Sequence, residues 1–249
     1  MKTQTATENK VIVIEKLCKH FGDHTVLQDF ALSVKKEENV VVLGKSGSGK
    51  SVLIKCIIGL LKPDSGNIKV FGQNVPDMSH EVLDQVRARI GFLFQGNALY
   101  DSMTVRENLE FPLRRHWIAA SQNEVEALVM EALENVGLAH TVDLMPEELS
   151  GGMLKRVALA RTMILKPEVI LYDEPTTGLD PVTAREIDKL ILKLQDKYHT
   201  SSIIITHDMN CVKNTADRVA LLLDGRCYAQ GTYTDFEHST DPNIHQFFE

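Results

Sequence analysis

Apolar residues recur along this chain in two rhythms, short unbroken runs and longer stretches spaced three and four residues apart. Val11 to Leu17 is rich in β-branched residues, and a second such run, Val40 to Leu43, ends abruptly in glycines, as a core strand entering a turn would. Further runs at Ile90 to Phe94, Val169 to Tyr172 and Ser202 to Thr206 are too short and continuous for surface helices, and predict buried parallel strands. Between them the period changes. Ser121 and Glu124 form a capping box, after which Val125, Leu128, Val129, Ala132, Leu133 and Val136 share one helical face until Gly137. A second helix is predicted from Asp180, with Pro181 at its first position and Ala184, Ile187, Leu190, Ile191 and Leu194 as its buried stripe. Strands alternating with helices indicate an α/β fold. From about Leu99 to Leu165 helical patterns follow one another without a strand, which predicts a helical subdomain inserted into the α/β core.

With 249 residues, 43% hydrophobic and 24% charged, the chain can bury one sizeable core, and one large domain with subdomains is expected. A formal charge of -7 argues against gripping a nucleic acid over a broad face, although a local phosphate site stays open. Cys18, Cys56, Cys211 and Cys227 are scattered without a CxxC pair, so they predict neither a zinc cage nor a disulfide framework but reduced, packing thiols of the cytosol. The polar N-terminus lacks an apolar leader region, and no stretch approaches the roughly 18 apolar residues of a membrane span. If the protein serves a membrane, another chain is expected to cross it.

Directly after the second strand, Gly44-Lys45-Ser46-Gly47-Ser48-Gly49-Lys50-Ser51 matches GxxxxGK[ST], and Val52 opens the apolar stretch that follows. Its glycines allow the backbone to wrap a phosphate chain with successive N–H groups at the start of a helix. Lys50 would reach the β and γ phosphates and the Ser51 hydroxyl would ligate Mg²⁺. Residues 44–52 are therefore the candidate ATP-binding segment.

A second constellation is Val169-Ile170-Leu171-Tyr172-Asp173-Glu174, an apolar strand that delivers two carboxylates where α/β sheets bind ligands. Asp173 is the candidate Mg²⁺ holder and Glu174 the candidate base for an attacking water; a solvated acidic turn before Pro175 is the alternative. In Leu149-Ser150-Gly151-Gly152-Met153, Ser150 is a natural N-cap. Two glycines at a helix start weaken it by roughly 1 kcal/mol each relative to Ala, so capping alone does not explain them. A second anion site at Ser150, Gly151 and Gly152 does.

The order of these motifs resembles the ABC ATPase family over nearly the whole chain: the phosphate loop, Gln95 after its strand, LSGGM, Asp173-Glu174, Thr177-Gly178-Leu179-Asp180 and Ile205-Thr206-His207-Asp208. That resemblance implies a P-loop NTPase core with a mostly parallel sheet, an N-terminal antiparallel β-subdomain and an inserted helical subdomain. The implied boundaries are about 10–95 and 166–236 for the ATP-binding core, about 96–165 for the helical subdomain, and a C-terminal helix over 237–249. It further implies Phe21 as the adenine-stacking ring, Gln95 as a catalytic and Mg²⁺-associated residue, Asp180 in the loop facing a partner, and His207 as the γ-phosphate sensor. Each has a plainer reading: Phe21 as core filler, Gln95 as a strand-end polar group, Asp180 as an N-cap, His207 as a satisfied histidine.

One set of motifs per chain implies pairing, each phosphate loop facing the other subunit's LSGGM in an ATP sandwich, with a homodimer the simpler case. The implied partners are integral membrane permease subunits docked near Gln95, with lipid-carrier subunits as further candidates and no nucleic acid, and the implied location is the cytoplasmic face of an inner membrane. Phe94 to Asp101, Phe111 to Arg114, and LSGGM followed by Lys155-Arg156-Val157-Ala158 look like the Mla-type phospholipid transport ATPases, in which Met at position 153 is common. The alternatives are an importer of another substrate or a soluble ATPase of iron–sulfur assembly. Lys45 and Tyr172 depart from the family pattern, Pro being frequent at the first and an aliphatic residue usual at the second.

Overall fold

The computed structural model describes residues 9–115 and 121–248. The chain begins with two long antiparallel strands, β1 (Lys10–Phe21) and β2 (His24–Lys35), then β3 (Asn39–Leu43) and helix α1 (Lys50–Ile57). There follow β4 (Ser65–Val70), β5 (Gln73–Asn74), α2 (His80–Ala88) and β6 (Ile90–Leu93). Three helices come next, α3 (Val105–Arg115), α4 (Gln122–Asn135) and α5 (Gly151–Met163), with no strand among the described residues of 96–165. The last part alternates: β7 (Val169–Asp173), α6 (Pro181–Tyr198), β8 (Ser201–Thr206), α7 (Met209–Thr215), the hairpin β9 (Arg218–Leu223) and β10 (Arg226–Gly231), and short helices α8 (Tyr233–Glu237) and α9 (Pro242–His245).

Two sheets result. The larger has the order β10-β9-β3-β8-β7-β6, all neighbours parallel except the β9–β10 hairpin, and the smaller is antiparallel in the order β2-β1-β4-β5. The strands of the large sheet are covered on both faces, which is why they read as continuous apolar runs. Successive side chains alternate between two cores. Val169 and Leu171 of β7 join Leu53, Ile54 and Ile57 of α1 and the inner face of the small sheet, while Ile170 and Tyr172 join Val157 to Ala160 of α5 and Ile187 and Ile191 of α6. Tyr172, 1% exposed, thus belongs to the helical side of the sheet.

Register carries the consequence. Leu43 is paired with Thr206 and Leu221, and Asp173 with Ile205, so β3, β7 and β8 stop at one edge, and the segments that continue past them emerge side by side.

The small sheet is strapped to the large one by the β9–β10 turn. Gln28 N–H donates to the Gly225 carbonyl at 2.8 Å. A Cβ on Gly225, whose φ is +72°, would lie 2.8 Å from the Val26 carbonyl oxygen, so the turn and β2 touch backbone to backbone.

The capping box at Ser121 and Glu124 forms as the sequence predicts, and Pro181 opens α6 behind Asp180. The strand expected over Val11 to Leu17 runs on to Phe21, because its antiparallel partner β2 continues to pair with it through several register shifts. The single C-terminal helix expected over 237–249 is replaced, within the described residues, by α8 and α9. Asp241 is extended and caps a new start with Pro242 at its first position, where a ring nitrogen without hydrogen cannot continue a preceding helix.

Beyond β6 the chain crosses to α3 through a loop organised by one buried side chain. Asn108, 0% exposed, accepts from Tyr100 N–H at 2.8 Å and donates to the carbonyls of Tyr100, Met103 and Thr104 at 3.0–3.1 Å. Asn108→Ala strands these groups and is expected to destabilise the fold by about 2 kcal/mol. The measurement is a lower urea midpoint with an unchanged slope.

Candidate functional site

The loop between β3 and α1 turns tightly enough that Gly47 and Gly49 take φ of +78° and +101°. At Gly49 a Cβ would lie 2.9 Å from Val26 Cγ1 and 3.1 Å from its carbonyl oxygen, so β2 braces the loop from outside and no larger residue fits. Gly49 then caps α1, whose first N–H groups have no side-chain acceptor. Lys50 leads that helix back under the loop. Its ammonium, with the residue 6% exposed, donates to the carbonyls of Gly44 at 2.6 Å and Lys45 at 3.0 Å and lies 3.5 Å from Glu174 Oε1.

Period-two alternation along β7 turns Asp173 toward α1, where its Oδ1 is 3.5 Å from Ser51 Oγ. Burial, and next the neighbouring Glu174 charge, push the Asp173 carboxyl above its ordinary range. Two hard oxygen donors, one of them a carboxylate whose charge is otherwise poorly solvated, suit Mg²⁺.

Glu174 follows at φ +50°, a left-handed conformation unusual for a side chain of this size, held because its N–H still donates to Ile205 at 2.9 Å. This turn directs its carboxylate, 10% exposed, along the strand edge rather than onto either face. There His207 Nδ1 lies 3.0 Å from Oε1 and 2.9 Å from Oε2, and Thr177 Oγ1 donates to Oε2 at 3.1 Å.

One open cleft of about 360 Å³ gathers Phe21, Ser46, Gly47, Gly49, Lys50, Ser51, Val52, Gln95, Glu174 and His207 along its walls, together with Val26. Phe21, about half exposed at the end of β1, presents a ring face there, with Lys19 Nζ 5.3 Å from its centroid. Gly44 is buried beneath the loop. Lys45 is exposed and, with Ser48, lines a separate recess bounded by His24, Leu223 and Phe247, so this departure from the family pattern points away from the cleft.

Gly44, Lys45, Ser48 and Asp173 flank the cleft in sequence without lining it, and Ser150, Gly151, Gly152 and Asp180 do not line it either. Ser150 caps α5, its hydroxyl accepting from Met153 N–H at 3.4 Å, with Gly151 and Gly152 in the first turn. Asp180 caps α6, accepting from the N–H groups of Val182 and Thr183 and from the Thr183 hydroxyl; that last bond chiefly holds its carboxyl below the usual range. In one chain, both act as caps.

Three contributors went unread in the sequence. Val26 acts through a contact that no local motif marks, and Thr177, although it opens the Thr177-Gly178-Leu179-Asp180 stretch, bears no sequence mark of its bond to Glu174. Lys155 did carry a signal: it is a cation at helical spacing from Ala158, Leu159 and Thr162, on a helix buried along much of its length. It is 2% exposed, and its ammonium donates to the Gln95 carbonyl at 3.0 Å.

The profile of the ABC transporter family matches residues 27–177. Over 239 residues the chain is 37% identical to the intermembrane phospholipid transport system ATP-binding protein MlaF of Haemophilus influenzae, covering 96% of this chain and 90% of that one. It is also 37% identical over 236 residues to mkl of Mycobacterium leprae, covering 95% and 68%, a protein whose name carries ribonucleotide transport instead. The dimeric ATP-binding cassette MJ0796, solved in a post-hydrolysis state with ADP and Pi, superposes with a TM-score of 0.81 at 31% identity, covering 89% of this chain and 98% of that one.

The raised Asp173 carboxyl gives a signed expectation. A carboxyl that binds its proton more tightly folded than unfolded makes stability fall as pH rises from the unfolded value toward the folded one. Asp173→Asn removes that loss, so in ligand-free protein it is expected to melt higher at neutral pH. The advantage should shrink as the solution is acidified toward the ordinary carboxylate value of about 3.9. Thermal melts across pH check it, and equal melting at neutral pH would contradict the burial argument.

Proposed function

Since the chain belongs to the ABC transporter family, as an ATP-binding and ATP-hydrolysing subunit, we propose that two copies close on Mg-ATP to drive a membrane permease that carries phospholipid. The observation that supports the pairing is that Ser150, Gly151 and Gly152 sit at the start of α5 and do not line the cleft that gathers Lys50, Ser51, Gln95, Glu174 and His207. A second copy placed face to face would supply the missing donors, and the dimeric cassette of known structure is a precedent for such a pair.

In this reading residues 44–51 wrap the phosphates with backbone N–H groups, and Phe21 stacks on the base. Lys50 exchanges its contacts with Gly44, Lys45 and Glu174 for phosphate oxygens. Ser51, Asp173 and Gln95 would hold Mg²⁺, which would supply neutralisation of the phosphate charge. Glu174 orients and deprotonates the attacking water. His207, tied to Glu174 through Nδ1, keeps that carboxylate aimed and presents its other nitrogen to the γ-phosphate. Asp180 faces the partner at the closed interface. Residues of about 10–95 and 166–236 form the ATP-binding core, and 96–165 is the unit that carries the second anion site.

No described helix is long and apolar enough to cross a membrane. The proposed partner is a permease carried on another chain. Its docking place is the exposed aromatic group beside Gln95, where Phe94, Tyr100 and Phe111 stand out from the surface. The subunit then works at the cytoplasmic face of an inner membrane, with lipid-carrier subunits beyond the permease. The likeness to MlaF supports phospholipid as cargo. Purifying the assembled transporter and assaying movement of a labelled phospholipid against a labelled ribonucleotide between vesicle compartments decides the cargo.

Saturating Mg-ATP at about a hundred times its dissociation constant is expected to stabilise the chain by roughly 2.7 kcal/mol, and Lys50→Ala to abolish that shift. Phe21→Ala is expected to weaken ATP binding by roughly 1–3 kcal/mol, the scale of base–aromatic stacking, while Phe21→Tyr stays close to the unaltered chain. Calorimetric titration reads both.

Glu174→Gln keeps shape but removes the base, so turnover should fall steeply while an ATP-bound dimer accumulates. Ser150→Glu should bind ATP yet remain monomeric, because its carboxylate would meet the partner's γ-phosphate. Light scattering with and without ATP separates the two, and a monomeric, ATP-loaded Glu174→Gln protein would sink the pairing.

A further inference from the structure

Two cations of α5 hold the main chain of the loop that follows β6. Lys155 donates to the carbonyl of Gln95 at 3.0 Å. Six residues further along the helix, Arg161 donates from Nη1 to the Ala98 carbonyl at 2.8 Å and from Nη2 to the Asn97 carbonyl at 3.0 Å, with its guanidinium 6.0 Å from the Tyr100 ring centroid. Three carbonyls within four residues therefore end on one helix.

The loop so held is strained. Asn97 and Ala98 take φ of +62° and +54°, a left-handed region that is unfavourable for non-glycine residues. Asn97 Oδ1 is buried without a hydrogen-bond partner. The backbone bonds of this turn are short-range, Asn97 N–H to Phe94 and Ala98 N–H to Gly96. They do not anchor it to another element.

Stability does not account for the choice of Lys155. Packing alone would be served as well by the similar volume of a methionine, so what singles out a cation at this position is the polar contact it makes to the Gln95 carbonyl. What the cation adds is a fixed distance between helix and loop. The helix is the one whose first turn holds Ser150, Gly151 and Gly152, and the loop is the one that places Gln95 in the cleft.

We propose that Lys155 and Arg161 are positioning residues that make the Gln95 loop move with the Ser150-Gly151-Gly152 end of α5 as one body. A displacement imposed at either the partner-facing helix end or the exposed aromatic group at Phe94 and Tyr100 then arrives at the Gln95 side chain. The strained residues 97 and 98 are the place where the loop can yield when the two cations let go. This proposal rests on the nucleotide reading given above.

Hydrogen exchange followed segment by segment tests it, in the full chain carrying Glu174→Gln so that Mg-ATP is not consumed. Adding Mg-ATP is expected to slow exchange at residues 95–98 and 150–154 together. In chains that also carry Lys155→Met with Arg161→Lys, ATP affinity and the slowing at 150–154 should stay within about twofold. The ATP-induced slowing at 95–98 should fall by roughly tenfold. A purely structural role would instead raise the resting exchange at 95–98 and leave the ATP-induced increment intact, and that outcome overturns the proposal. Lys155→Met alone, with Glu174 restored, should lower kcat several-fold at unchanged KM for ATP; a loss of ATP affinity in it would place Lys155 in the binding site and also overturn the proposal. Failure of the parent chain to bind Mg-ATP would count against the functional reading, whereas binding without joint protection of the two segments counts against this one.

Discussion

In a parallel ladder neighbouring strands end on the same edge, and here Leu43 is level with Thr206 while Asp173 is level with Ile205. The phosphate-handling groups that leave β3, β7 and β8 inherit their place from that pairing. The phosphate loop leaves β3, Glu174 leaves β7 and His207 leaves β8, so a loop more than a hundred residues upstream comes within hydrogen-bonding reach of two carriers themselves 33 residues apart. A slip of one residue in β7 would exchange Asp173 for Tyr172 and aim the carboxylate into the apolar core beneath α5 and α6. The depth of the apolar runs on both faces makes that slip prohibitive.

What could be read from the sequence follows from the same physics. The core strands are uniformly apolar because both faces are covered, and their ends are marked by glycines or carboxylates that only an edge can accommodate. The phosphate loop and the capped helices announce themselves because their chemistry is contiguous. The small antiparallel sheet was harder to see. β1 and β2 are half-buried and carry several register shifts, which break the alternation that would identify them, and polar residues occupy much of β4. At the C-terminus the family resemblance implied one helix, and the extended Asp241 before Pro242 divides it in two.

Within the site, residues that act alone at a fixed offset from a motif were visible, and residues that act by meeting something distant were not. Thr177 steadies Glu174 across a turn, and Lys155 supports Gln95 from sixty residues away. Ser150 and Asp180 show the converse. In a single chain their side chains do what any N-cap does, and the further role proposed for them requires a second copy.

Val26 stands between two backbones that come as close as glycine permits, the phosphate loop at Gly49 on one side and the β9–β10 turn at Gly225 on the other. The strand there is a wedge with no slack. A genetic screen for weakened nucleotide handling would therefore return lesions in the hairpin, nearly two hundred residues downstream of the loop and without any contact to phosphate. Sorting such alleles by their distance from the ligand would misfile them as folding defects, although the contact chain linking them to the loop is only one residue long.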